Sequence, residues 1–389
     1  MSAAGTEALG AEFVTRYGRE AAVVCAAPGR VNLIGEYTDL NEGFVLPIAI
    51  PQVTHTLAAP RPDRVLRVAS LDRRDDPAIS IDLDRPEAPV AGWAAYPAAV
   101  ARALDDAGHR VAGADVLVSS EVPTGAGLSS SAALECAVAL ALCALSGVEL
   151  APMAIAEIAQ RAENRYVGVP CGIMDQAASM CAIADHALLL DTRTLAIRQL
   201  PFDVHGAGLG LLVVDTRVKH ALGDSAYGDR RTACARAAAA LGVGALRDVE
   251  VGEVAAALEE IAAKAGEEVM RRARHVLSEQ ARVLQTAELL DAGQIAEIGQ
   301  VLIAGHASLR DDFEVSCAEL DLVVKAAVAS GALGARMTGA GFGGSAIVLA
   351  AATRLSEIAQ EIAARFSAAG YGAPLCFSAS ASAGARRER

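Results

Sequence analysis

One stretch limits what this 389-residue chain can become. Pro123-Thr124-Gly125-Ala126-Gly127-Leu128-Ser129-Ser130-Ser131-Ala132-Ala133 runs straight into an alanine- and leucine-rich segment that reads as helix to at least Leu145. Two glycines permit a turn whose backbone comes close to a ligand, and three serines stand where the helix begins. The first amides of a helix have no partner inside it and point at whatever lies before them. With the helix dipole added, such a place is an anion site suited to phosphate. The same residues also describe a plain turn followed by a capped, buried helix, since serine is a common N-cap. The stretch alone leaves both readings open.

The rest of the chain narrows the chemistry. Lysine occurs only at 219, 264 and 325 and never after glycine, so a Walker-type loop is absent. No His-Arg-Asp loop or Asp-Phe-Gly is present, so the protein-kinase set is missing too. A phosphate site here must rest on backbone amides, arginine and a metal ion. A net charge of −13 and only 4% aromatic residues argue against nucleic acid and anionic membrane as partners. The longest uncharged apolar run, Cys136 to Val148, is too short to span a bilayer. Residues 1–10 lack the basic and apolar regions of a secretory signal. Eight scattered cysteines without Cys-x-x-Cys fit reduced thiols in a cytoplasm, and the seven dispersed histidines show no zinc spacing. No obligate protein partner is expected, and the length suggests two domains or three.

Along the chain, Ala11 to Gly18 reads as a short helix and Val23 to Ala27 as a strand ended by Pro28-Gly29. Residues 30–43 carry Arg30, Glu36 and Asp39 among apolar residues, too many charges for a plain strand or helix. One arginine with two carboxylates suits a polyhydroxylated ligand, but taken alone the triplet reads first as a surface loop with a local ion pair. Phe44 to Ile50 and Val53 to Ala59 read as two paired strands around Pro51. Val65 to Leu71, Ile79 to Leu83 and Ala114 to Ser119 read as further strands, and Trp93 to Gly108 as a helix. Pro152 opens a helix in which Glu163 sits near the C-terminal end, an unfavourable place for a carboxylate. It calls for a cation partner, either a ligand ion or a neighbouring Arg161 or Arg165. Asp175, after the turn Val169-Pro170-Cys171-Gly172, reads as an N-cap or as a buried acid with Arg30 as its cation.

The pattern shifts around 190–206. A strand from Leu209 to Asp215 follows, then helices over 225–241, 269–290 and 294–307. Ser316 with Glu319 has capping-box spacing ahead of a helix that ends at Gly331. Gly339-Ala340-Gly341-Phe342-Gly343-Gly344 matches Gly-x-Gly-x-x-Gly literally. A helix is expected before it and a strand after, the reverse of the dinucleotide-binding order, so it reads as a glycine loop packed against a ligand site. A helix at 355–369 and a strand at 373–379 complete the chain, and the Ser-Ala-Gly-Arg tail from 380 is expected to be disordered.

Three stretches taken together resemble the GHMP kinases. They are Pro28 to Asp39, Pro123 to Ala132 and Met337 to Gly344, in the family's order, and the resemblance runs from about residue 11 to 378. The first, with Cys171-Gly172-Ile173-Met174-Asp175-Gln176, is specific to the galactokinase branch. The resemblance implies an α+β, two-domain fold. A domain like the second domain of ribosomal protein S5 would span 1–195 and a ferredoxin-like C-terminal domain 196–389, with the last strand returning to the first domain. It implies ATP and Mg2+, and phosphorylation of galactose at its anomeric hydroxyl. By the same resemblance, Gly125, Ala126, Gly127, Leu128, Ser129, Ser130 and Ser131 would hold the ATP phosphates, and Ser131 and Glu163 the Mg2+. Asp175 would be the base, with Arg30 beside it. Glu36, Tyr37, Thr38, Asp39, Gly172 and Tyr227 would contact the sugar, and Ser70 and Trp93 would flank the adenine.

The chain departs from the family in carrying Tyr37 where histidine is usual and Leu40 where tyrosine is usual. The first position lies near the sugar's 6-hydroxyl in the family, which brings L-arabinose, galacturonate and N-acetylgalactosamine in as alternatives to galactose. A non-catalytic galactose and ATP sensor is the third reading. Relatives of that kind lose residues after the serines, whereas Ser129 to Glu135 is complete here.

Overall fold

The structure, a computed structural model, describes residues 3–85, 88–219 and 223–389. Its strands are β1 (Val23–Ile34), β2 (Phe44–Pro60), β3 (Val65–Ser70), β4 (Ile79–Asp82), β5 (Ala114–Ser120), β6 (His186–Asp191), β7 (Ile197–Pro201), β8 (Leu209–Lys219), β9 (Gly334–Thr338), β10 (Gly343–Ala351), β11 (Leu375–Ala379) and β12 (Arg386–Arg387). The helices of the first half are α1 (Ala3–Tyr17), α2 (Ala95–Asp106), α3 (Ser130–Ser146), α4 (Pro152–Arg161) and α5 (Met174–Cys181). Those of the second are α6 (Gly223–Leu241), α7 (Val254–Ala265), α8 (Glu267–Asp291), α9 (Ile298–Ser308), α10 (Ala318–Ala329) and α11 (Leu355–Ala368). Among the described residues no helix is long and apolar enough to cross a membrane.

Two sheets organise the molecule. The first runs β12-β1-β2-β5-β3-β4, with β6 pairing β2 and β7 pairing β6; the second runs β11-β8-β10-β9. The chain leaves the first sheet after Pro201 and enters the second at Leu209. α3 lies across β1 and β2. Its Ala132, Ala133, Ala137 and Ala139 are fully buried, and such small side chains let the helix sit close to the strands. A core of Val31, Leu33, Ile48, Val213, Val283 and Ile347 joins the two sheets, so neither closes its apolar surface without the other.

β1 and β2 are longer than their sequence suggests. β1 continues past Pro28-Gly29 to Ile34, and all twelve of its residues are buried. β2 is one strand through Pro51. The reason is a shared irregularity: the register jumps between Pro28↔Val53 and Arg30↔Ala49, which puts Pro51 opposite the break, where a missing N–H costs little. Arg30, a charged residue in an otherwise uncharged strand, follows this bulge and lines the cavity.

Three further expectations are corrected. The glycine loop 339–342 is preceded by β9, not directly by a helix, and so forms the tip of a β-hairpin. Ser316 makes no capping box: its hydroxyl donates to Asp321 at 2.5 Å, and Cys317 stands at the N-cap of α10. The tail from 380 is ordered. The amides of Ser382, Gly384 and Ala385 donate to the carbonyls of Ala49, Ala182 and Ser179, and β12 pairs with β1. It is this tail that returns to the first sheet; β11 stays in the second, paired with β8.

Candidate active site

Between the two sheets lies a cavity of about 830 Å3. Its walls carry Arg30 from β1, Glu36, Tyr37 and Asp39 from the loop after it, Gly125 and Gly127, Glu163, Gly172, Asp175, Tyr227 and the loop 339–344. The three stretches that stand far apart in sequence therefore meet.

Asp175 is the second residue of α5, where a carboxylate is favoured by the dipole; Ile173 holds the N-cap position, so Asp175 itself is not a cap. Arg30 grips it with both arms of its guanidinium, Nε to Oδ1 at 2.8 Å and Nη2 to Oδ2 at 2.9 Å. The third nitrogen, Nη1, donates to the Gly127 carbonyl at 2.7 Å. Arg30 is 5% exposed, and the fork fixes the plane of the carboxylate as well as its place. Ser129 adds a hydroxyl donor to Asp175 Oδ2 at 2.5 Å from a left-handed backbone, φ 59°.

The serine turn is built as its composition suggests. Gly125 and Gly127 both have positive φ and are exposed toward the cavity. Leu128 is buried, and its carbonyl accepts the Arg30 amide. Ala126 is buried and accepts a hydrogen bond from Ser345 at 2.7 Å. Ser130 and Ser131 open α3, half-buried. The hairpin loop braces this turn from the far side. A side chain at Gly339 would stand 2.9 Å from the Gly127 carbonyl, and one at Gly341 2.2 Å from that of Val315.

Acids crowd the floor. Glu163, 5% exposed, sits in a π-helical turn (162–167) that continues α4; such turns often occur at functional sites. It accepts from Gln176 Nε2 at 2.8 Å, from Cys171 Sγ at 3.4 Å and from Ser131. Burial, and after it the charge of Asp175, holds its carboxyl above the usual range. Among the described residues no ion pair joins it to Arg161 or Arg165; the Arg165 guanidinium lies over the Tyr166 ring instead. Fully buried Glu135 lies behind it, raised well above the ordinary range by burial and then by the charge of Glu163. No group of three or more His, Cys, Asp or Glu among the described residues is arranged to hold a metal alone. A hydroxyl and a buried carboxylate without a cation, beside an anion-binding turn, fit Mg2+, which takes one or two protein oxygens and completes its shell with phosphate and water.

On the opposite wall, Asp39 lies against Gly172, and its pKa is pushed up to about 6 by burial and by the neighbouring Asp175. Tyr37 has φ 69°, donates to the Ala340 carbonyl at 2.5 Å and packs on Phe313 and Tyr227 at 4.5 and 5.5 Å between ring centroids. Glu36 is 2% exposed and raised to about 7 by burial, against the pull of Arg336. It pairs with Arg336 and accepts the Gly339 amide at 3.3 Å. Arg336 is itself fully buried and 2.8 Å from Glu279.

Three of the residues expected to contact the sugar or the adenine lie elsewhere. Thr38 is fully buried and donates to the Gly35 and Phe44 carbonyls, shaping the loop and not lining the cavity. The Ser70 hydroxyl caps a short turn by accepting the Asp72 amide, and Trp93 packs on the core around α2; neither lines the cavity. The sequence reading gave no site role to Glu135, Gln176, Cys171 or Arg336. Glu135 and Arg336 had a signal: each is the lone charge in an apolar element, and lone charges are rarely buried without a task.

Comparison with known proteins agrees with this geometry. Residues 11–60 match the galactokinase galactose-binding signature, 95–182 the GHMP kinases N terminal domain and 286–370 the GHMP kinases C terminal domain. The chain is 53% identical over 384 residues to a galactokinase of Streptomyces coelicolor, covering 99% of this chain and 98% of the other. It is 43% identical to one of Mycobacterium tuberculosis over 90% of this chain and 94% of the other. The crystal structure of Lactococcus lactis galactokinase complexed with galactose superposes with a TM-score of 0.93 at 32% identity, covering 98% of this chain and 99% of that one. A mevalonate kinase, at 15% identity over 92% of this chain and 99% of the other and a TM-score of 0.66, shares the fold.

Proposed function

The chain belongs to the GHMP kinases, in their galactokinase branch, and from that premise we propose how its residues divide the transfer of the ATP γ-phosphoryl group to the anomeric hydroxyl of galactose. The enzyme is a galactose-phosphorylating transferase, and its products are galactose 1-phosphate and ADP. Asp175 takes the proton of the sugar hydroxyl as its oxygen attacks phosphorus. Arg30 orients Asp175 and meets the charge that spreads over the migrating phosphoryl oxygens. Phosphoryl transfer depends on placement and charge neutralisation more than on covalent chemistry. The observation that carries this reading is the Arg30 guanidinium, which forks the Asp175 carboxylate and at the same time holds the Gly127 carbonyl of the phosphate turn.

Amides of the 125–131 turn and of the first turn of α3 hold the triphosphate. Ser131 and Glu163 would hold Mg2+, which when bound neutralises β- and γ-phosphate charge. Asp39, Gly172, Tyr37 and Tyr227 face the sugar, with Glu36 held behind them by Arg336. The eight unpaired cysteines support a reducing compartment such as the cytoplasm. The change of sheet between Pro201 and Leu209 supports two structural units.

Asp175→Ala tests the division of roles. Galactose binding should survive by calorimetry while kcat falls about 10²–10⁴-fold, the range for a well-placed base. A variant with near-normal kcat removes Asp175 from this role. The same ADP-release assay, run over galactose, L-arabinose, galacturonate and N-acetylgalactosamine, measures what Tyr37 and Leu40 do to recognition; a preference for any of the last three would displace galactose as the substrate.

A further inference from the structure

Gln176 follows Asp175 directly on α5 but points the other way. Asp175 faces Arg30 in the cavity, whereas Gln176 is fully buried and turned toward the acids beneath. Its Nε2 donates to two carboxylates at once, Glu163 Oε2 at 2.8 Å and Glu135 Oε2 at 3.2 Å. The amide's orientation follows from this pair, because the reversed amide would aim an acceptor at both acids. Glu135 sits one helical turn beyond Ser131 on α3, so α3 supplies both the metal-side hydroxyl and the anchor for the amide. Glu135 Oε1 and Gln176 Oε1 have no hydrogen-bond partner in the protein, so Gln176 is held through Nε2, and Glu135 by that amide and by Glu163.

Resting on the reading above, in which Glu163 binds Mg2+, we infer that Gln176 is the positioning residue of that site: its amide, anchored on Glu135, fixes the Glu163 carboxylate against Ser131. A neutral donor suits the task. Lysine or arginine at this place would hold Glu163 equally well but would cancel the charge that draws the ion. An aliphatic side chain would leave two buried carboxylates facing each other with no donor between them. Groups of this kind, which orient a metal ligand without touching the metal, typically matter 10- to 100-fold in metal affinity.

The test reads metal binding directly. Mn2+ is titrated into the intact enzyme with a non-hydrolysable ATP analogue, and bound ion is followed by water proton relaxation. Galactose affinity and the unfolding midpoint are measured alongside. Q176L should weaken Mn2+ about 10- to 100-fold with galactose affinity unchanged, and its unfolding midpoint should fall because two buried acids lose their donor. Q176M, which is closer to glutamine in length and also lacks the donor, should show the same loss of Mn2+ affinity, and it decides the matter if Q176L does not fold. E163Q separates the two readings. Wild-type Mn2+ affinity in E163Q removes the metal role of Glu163 and this inference with it. Loss in E163Q with wild-type affinity in Q176L overturns the inference alone. Equal losses of Mn2+ and galactose affinity in Q176L also overturn it, since Gln176 would then be a packing element only.

Discussion

Gly172→Ala is the sharpest probe of the sugar side of the cavity, because the structure gives both the size and the direction of the disturbance. Gly172 does not have positive φ, so its backbone accepts alanine without strain. The obstacle is one side chain: a Cβ at 172 would stand 1.8 Å from Asp39 Oδ2 and 2.6 Å from its Cγ. Cβ atoms essentially never come closer than 3.0 Å to another heavy atom, so the Asp39 carboxylate must withdraw by at least about 1.2 Å, the difference of the two distances. A misplacement of about 1 Å can cost on the order of 10²-fold, or about 2.7 kcal/mol. If Asp39 binds galactose hydroxyls, the galactose KM should rise by that factor, while the ATP KM stays put because, among the described residues, no hydrogen bond joins Asp39 to the 125–131 turn. Steady-state kinetics with each substrate varied in turn measures the split. Asp39→Ala supplies the control: with the carboxylate gone, adding Gly172→Ala should cost almost nothing more, a strongly non-additive cycle. An unchanged galactose KM in the single variant, or fully additive losses in the double, would refute the argument.

Two further outcomes concern the buried charges that join the sugar loop to the second sheet. Replacing Arg336 with Met leaves Glu36 and Glu279 without their shared cation in a fully buried place, so urea unfolding should show a loss of about 3–5 kcal/mol; a loss under 1 kcal/mol would mean that other groups already satisfy the acids. Glu36 gives a pH signature. Burial raises its folded pKa to about 7, above the unfolded value of about 4.5, so the folded state binds the proton more tightly. Its stabilising contribution is complete below the unfolded value and fades as pH rises through about 7. The stability of the wild type relative to Glu36→Gln should therefore fall between about pH 4.5 and 7, by at most about 1.4 kcal/mol per pH unit, and level off above; a flat difference across that window counts against the shift.

The sequence revealed the chemistry more readily than the framework. Asp175 stood out through its turn and the family motif. Arg30, Glu163 and the 125–131 turn stood out because each breaks a local rule: charges too many for a plain strand or helix, an acid at the wrong end of a helix, paired glycines before serines. Pro28 and Pro51 misled for the same reason. Each reads as a breaker alone, yet they face each other across one bulge, and only the pairing shows that two strands pass through. The tail from 380 misled through composition. Small polar residues spell disorder when nothing receives them, but here the carbonyls of Ala49, Ala182 and Ser179 do. Thr38, Ser70 and Trp93 carried no such local conflict, and none of them lines the cavity.

What remained hidden follows from how the acids are satisfied. Asp175, Glu163 and Glu135 converge on a floor where Arg30 is the cation that reaches a carboxylate, and it is committed to Asp175. Two buried carboxyls are then left to hydrogen-bond donors, Gln176 for both and Cys171 and Ser131 for Glu163. Donors of that kind are ordinary polar residues, indistinguishable in sequence from a surface glutamine or a core cysteine. A floor balanced by hydrogen bonds and not by ion pairs keeps negative potential available for an incoming cation, whereas a second arginine would have abolished it. Among the described residues no arginine is ion-paired to Glu163, and on the proposed reading that leaves the floor open to a metal–nucleotide substrate.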